Sequence, residues 1–110
     1  MKIVIFFLTL FFSISLVFFV REQFTYPEKW NEVRLGMTRQ EVDDLIGQGG
    51  GEWSGWTGKH WIESHTILKQ DMEIYFEGNR AHSITIVTVF AWDNGYEAPP
   101  IATSRSEYAK

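Results

Sequence analysis

Few side chains in this 110-residue chain are of types that do chemistry. There is no Cys, which removes thiol catalysis, disulfides and lipid attachment through cysteine. The histidines are His60, His65 and His82. His60 and His65 are five apart, and on a strand an odd spacing sends two side chains to opposite faces. With Glu63 between them they form no local ligand set. His82 lies on an apolar face and reads as a satisfied or rim histidine rather than a ligand. Asp71, Glu73, Tyr75 and Glu77 alternate along one stretch, which reads as a solvated strand face, since paired catalytic carboxylates sit in a cleft. Asp43 and Asp44 read as a wet helix face. A nucleophile motif, a phosphate loop and a metal-ligand pattern are all missing, and no spacing supports an enzyme built on a His with Glu73. The expectation is a protein without catalysis, metal or cofactor.

What is left is surface for binding. A Gly-rich stretch from Gln48 to Gly58 holds Trp53 and Trp56, and Trp61 follows at the start of a strand. An exposed Trp pair would be a platform for a sugar ring or an apolar partner. The other reading folds these rings back over a thin sheet to finish its core. Trp53, Trp56, Trp61, Glu73 and Tyr75 are the candidate partner-binding residues.

These residues must be positioned, and the first element fixes where. Residues 3–20 are Ile, Val, Phe and Leu broken only by Thr9, Ser13 and Ser15. As a helix they span roughly 27 Å, enough to cross a hydrocarbon core of about 30 Å. A cleavable signal needs small residues at the cut. The nearest candidate, Ser13-Ile14-Ser15, would leave a very apolar new N-terminus, so residues 1–21 read as an uncleaved signal anchor. Lys2 and the terminal amine precede the span and Arg21 follows it. The short positive N-terminus is expected in the cytoplasm and the rest outside. No GxxxG motif supports dimerisation through the helix.

Lys2 is the only one of ten basic side chains in the first twenty residues, and no acid lies there; the remaining ninety residues carry nine bases against fourteen acids, a charge of −5. That sign argues against nucleic acid and against a domain lying flat on anionic lipid. Ninety residues support one small domain.

Residues 22–28 read as a juxtamembrane linker, with Phe24 and Tyr26 in an aromatic belt at the headgroups and Trp30 in the core. Pro27 opens a short helix that Leu35-Gly36 ends. A second helix starts at Thr38 with a Thr38–Glu41 capping box and a Met37–Val42 staple. It turns Val42, Leu45 and Ile46 inward and ends at Gly47. Three strands follow, His60–Leu68, Asp71–Glu77 and Arg80–Trp92. Met72, Ile74 and Phe76 form a core face on the second strand, and His82, Ile84, Ile86 and Phe90 on the third. A two-residue loop at Gly78-Asn79 would set Ile74 opposite Ser83, so burial predicts a loop of odd length. Residues 93–110 read as a flexible tail. The expected fold is α+β: an N-terminal transmembrane helix, then a 29–92 domain of two short helices packed on a three-stranded antiparallel sheet.

The run Val33-Arg34-Leu35-Gly36-Met37-Thr38-Arg39-Gln40-Glu41-Val42, closing at Leu45-Ile46-Gly47, resembles the small SmpA/OmlA (BamE-like) envelope-domain family. The strand Ile74-Tyr75-Phe76, the Gly78-Asn79 turn and Ile84 extend the similarity to roughly residues 30–90. Family members carry Pro after the closing Gly, where this chain has Gln48-Gly49-Gly50. Outer-membrane members hang from a lipidated Cys, and here an apolar helix stands in its place. The resemblance implies an extracytoplasmic binding domain on an inner-membrane anchor, with another envelope protein as partner. The alternative is an inhibitor, or a glycan- or lipid-binding domain using the Trp loop.

Overall fold

In the computed structural model, which describes residues 1–47, 58–93 and 99–110, the chain is α+β. Helix α1 runs Lys2–Glu22, with no buried residue along it. It is long and apolar enough to cross a membrane. The molecule is 67 Å along its longest axis and 28 by 25 Å across. A helix of this length is about 31 Å, so α1 projects away from the remainder instead of folding along it.

A short 3-10 helix, Glu28–Glu32, and α2, Arg39–Ile46, cover one face of a sheet. The sheet is an antiparallel meander of β1 Gly58–Ser64, β2 Leu68–Glu77, β3 Arg80–Phe90 and β4 Ala102–Tyr108, in chain order. Between sheet and helices lie Trp30, Val33, Val42, Trp61, Met72, Ile74, Phe76, Ala81, Ile84 and Ile86. The α2 start is built as its residues require. Thr38 Oγ1 accepts from the Glu41 amide and Glu41 accepts from the Thr38 amide, the reciprocal cap that satisfies two otherwise orphan donors. Val42 is fully buried.

Four features differ from the sequence reading. Among the described residues there are four strands, not three. The segment read as a flexible tail supplies β4, which covers the β3 edge and so satisfies main-chain groups that would otherwise stand open. Its Arg105 donates to the carbonyls of Trp30 (3.1 Å) and Val33 (2.5 Å) and clasps the 3-10 helix to the sheet. Second, the expected strand His60–Leu68 is cut at His65–Ile67, where the His65 amide donates to Leu68 O and the chain reverses into a longer β2.

Third, the loop at Gly78-Asn79 has two residues, with φ of 59° and 68°, the paired positive values of a type I′ turn. The register expected from burial holds nonetheless, with Ile74 opposite Ile84 and Met72 opposite Ile86. A bulge supplies the odd residue: Phe76 pairs Ala81 and Tyr75 pairs Ser83, leaving His82 between them. His82 therefore leaves the core face. It pairs with Glu77 at 3.1 Å and meets Tyr108 edge-on. Phe90, also expected in the core, is 41% exposed at the strand end. Fourth, Tyr26 is no belt residue. Its ring stacks on Trp30 at 5.5 Å and packs on the core.

Candidate functional site

The face of the sheet turned away from the helices carries a polar cluster. Strand pairing puts His60 of β1 directly opposite Glu73 of β2, and Asp71 lies two residues along on the same face. His60 Nδ1 is 2.9 and 3.1 Å from the two Asp71 oxygens. A carboxylate only accepts, so Nδ1–H is the donor, and Nε2 turns towards Glu73 Oε1 at 3.6 Å. Asp71 is 1% exposed and His60 8%.

Burial on its own disfavours a charged His60, but the hydrogen bond and charge of Asp71, with the charge of Glu73, outweigh it and raise its pKa. Burial raises the Glu73 pKa, the His60 charge opposes this, and Asp71 adds to it. Tyr75 is raised by burial first, then by Glu73 and Asp71. Its ring lies over Gly58, where an added Cβ would come within 2.9 Å of Cε1. A glycine at that position is what lets the ring lie against β1.

The ligand atoms of His60, Asp71 and Glu73 all fall within 4.8 Å of one another, a nitrogen-and-oxygen donor set that suits borderline or hard divalent metals. With Nδ1 bound to Asp71, however, the geometry leaves Nε2 and Glu73 as the inward pair and casts Asp71 as their support. Two ligands make a weak site, and a proton on His60 balances the same charges.

Of the residues singled out in the sequence, Glu73 and Tyr75 come together on this face. Trp61 does not join them. It sits opposite Met72 on the helix-covered face, 5% exposed, with Nε1 donating to Gly47 O at 2.9 Å. Its place is in the core and not at a surface contact. Trp53 and Trp56 lie outside the described residues. His60 and Asp71 were missed as a pair because neither strand alone shows it. The signal lay in the register between β1 and β2, which nothing local to either strand determines.

A second polar cluster joins α1 to the sheet. The Gln23 side-chain oxygen accepts from the amides of Ile67 (2.8 Å) and Leu68 (3.3 Å). Gln70 Nε2 donates to Gln23 O at 2.7 Å, and His65 Nε2 donates towards Thr25 O (2.6 Å) and Gln70 Oε1 (2.8 Å). Gln23 is 4% exposed and Gln70 0%. Residues read as a linker are thus tied into the β1–β2 turn.

Comparison with family models, curated proteins and solved structures finds no significant match to this chain.

Proposed function

We propose that this chain is a single-pass module of a bacterial inner membrane that binds another envelope protein and performs no catalysis. Its N-terminus lies in the cytoplasm and its α+β domain outside. The observation that carries this reading is the junction at Gln23. An apolar helix with no buried residue passes straight into a buried hydrogen-bond network of the domain. Such a joint holds the sheet at a set height and angle above a bilayer, which suits presentation to a neighbour.

The sheet face bearing Glu73 and Tyr75 is the surface offered. Strand β1 is one edge of the sheet, and Ile62 on it is 49% exposed beside the His60–Asp71 pair. Ile62 stands opposite Asp71, with Glu73 and Lys69 diagonal to it on the same face, and an exposed apolar side chain among polar neighbours suits contact with another protein surface. The negative charge of the domain and the similarity of residues 33–47 to SmpA/OmlA domains support the same reading. A photo-crosslinking amino acid at Tyr75 in intact cells tests it. The reading expects one defined adduct from Tyr75 and none from Glu41 on α2. Equal or absent adducts from both positions would overturn it.

A further inference from the structure

After α1, seven large hydrophobic side chains among the described residues are exposed: Phe24, Ile62, Ile67, Phe90, Trp92, Ile101 and Tyr108. Five of these gather at one end of the sheet. Ile67 is in the β1–β2 turn held by Gln23, and its carbonyl accepts from the Ala91 amide, so Phe90 and Trp92 adjoin it. Phe90 and Trp92 stack at 4.8 Å. The Ile101 amide donates to Thr88 O, which brings Ile101 to the same end of β3. Phe24 follows the helix directly. The exposed fractions are 42% for Phe24, 39% for Ile67, 41% for Phe90, 66% for Trp92 and 45% for Ile101.

This is also the end from which α1 departs. Val20 closes the apolar run, and with α1 across a bilayer the charged pair Arg21 and Glu22 that follows it would stand at headgroup depth. The ring of apolar side chains begins one or two residues later, at the level where Trp and other amphipathic rings settle in a bilayer interface. The Gln23–Gln70–His65 network removes the slack a flexible linker would allow.

We propose that Phe24, Ile67, Phe90, Trp92 and Ile101 form a collar that seats the domain end-on in the interfacial layer of the bilayer α1 crosses. The occupant is the boundary between headgroups and acyl chains. The contact is apolar, because the domain's net negative charge gives no attraction to anionic lipid. The inference rests on α1 being a membrane anchor, and the strands stand up from the surface as a consequence. The Gly78-Asn79 turn then points away from the lipid, about 30 Å from Leu68 at ~3.4 Å per residue of β2.

The native chain has no Cys, so single cysteines can carry a nitroxide spin label in the full chain reconstituted into phosphatidylcholine vesicles. Labels at Thr66→Cys, which is exposed beside Ile67, and at Trp92→Cys read the collar; Glu77→Cys reads the far end; Ser13→Cys reads the helix. Collision rates with oxygen and with a water-soluble nickel chelate give the depth of each. We expect the oxygen-to-nickel ratio to rank Ser13 above Thr66 and Trp92, and these well above Glu77. Collar labels as nickel-accessible as Glu77, with Ser13 still in lipid, would overturn the collar and leave the anchor standing. A Ser13 label open to nickel would overturn both. Collar labels shielded from nickel but showing spin–spin broadening that dilution in lipid removes would assign the patch to a second copy, and that too would overturn the proposal.

Discussion

Gln70 Nε2 stands 2.7 Å from the main-chain oxygen of Gln23, forty-seven residues earlier. Both groups are buried, and the bond closes a circuit that includes His65, Thr25 and the amides of Ile67 and Leu68. Breaking one partner strands the others without water. Gln70→Leu should cost about 1–3 kcal/mol in the unfolding of the full chain in detergent micelles. Gln23→Ala should speed hydrogen exchange at the Ile67 and Leu68 amides while the amides of Ile84 and Ile86 stay protected. Unchanged exchange at the turn would show that the helix is not held there.

The His60–Asp71–Glu73 cluster sets a pH dependence. The folded pKa of His60 lies above its ordinary 6.5, so its contribution is fully present below pH 6.5 and is lost as pH rises through the folded value. Glu73 is raised above its ordinary 4.5; its contribution is present below that and is also lost on going up. The signs agree. Thermal unfolding should give a higher midpoint at pH 6 than at pH 8.5, with His60→Gln flattening that slope. A midpoint that rises with pH over this range would contradict the cluster as described.

Arg105 holds two carbonyls of a different layer with one guanidinium. Arg105→Met keeps the apolar stem and removes the donors, at an expected cost of about 1–3 kcal/mol in chemical denaturation. Arg105→Lys should recover only part, because an ammonium cannot reach both oxygens as a planar fork does. Wild-type stability in the Met variant would show that β4 adds no clasp.

The bulge at His82 makes a register experiment possible. Deleting His82 removes the unpaired residue and leaves Ile74–Ile84 and Met72–Ile86 opposite one another, so a cooperative fold should survive. Deleting Thr85 instead turns Ile84 out of the core, with a loss of about 2–5 kcal/mol. The two deletions compared by circular dichroism melting decide it, and equal losses would reject the pairing.

How much of this was legible in the sequence follows from the range of each interaction. The Thr38 cap and the inward face of α2 were readable because they close within a few residues. The facing of Met72 and Ile74 with Ile84 and Ile86 was readable from burial parity. The turn at 65–67 was not, since it carries no Gly or Pro and is held by Gln23, 44 residues away. Strand β4 was hidden because both of its faces are polar and its Arg105 finds its partners over 70 residues back. Of the candidate site, Glu73 and Tyr75 were found by alternation. His60 and Asp71 came into view only once the β1–β2 register was known, and Trp61 looked like a surface aromatic because its acceptor, Gly47 O, lies in another element.

The reading of an outward-facing domain on a retained helix is tested most directly by one labelling experiment. The probe is a single cysteine at Thr103, an exposed position on β4, treated in intact spheroplasts with a membrane-impermeant maleimide. The reading predicts labelling before lysis, on a full-length chain that stays with the membrane through alkaline extraction. Labelling only after lysis, or a mature chain that begins beyond residue 20 and washes free, would contradict it.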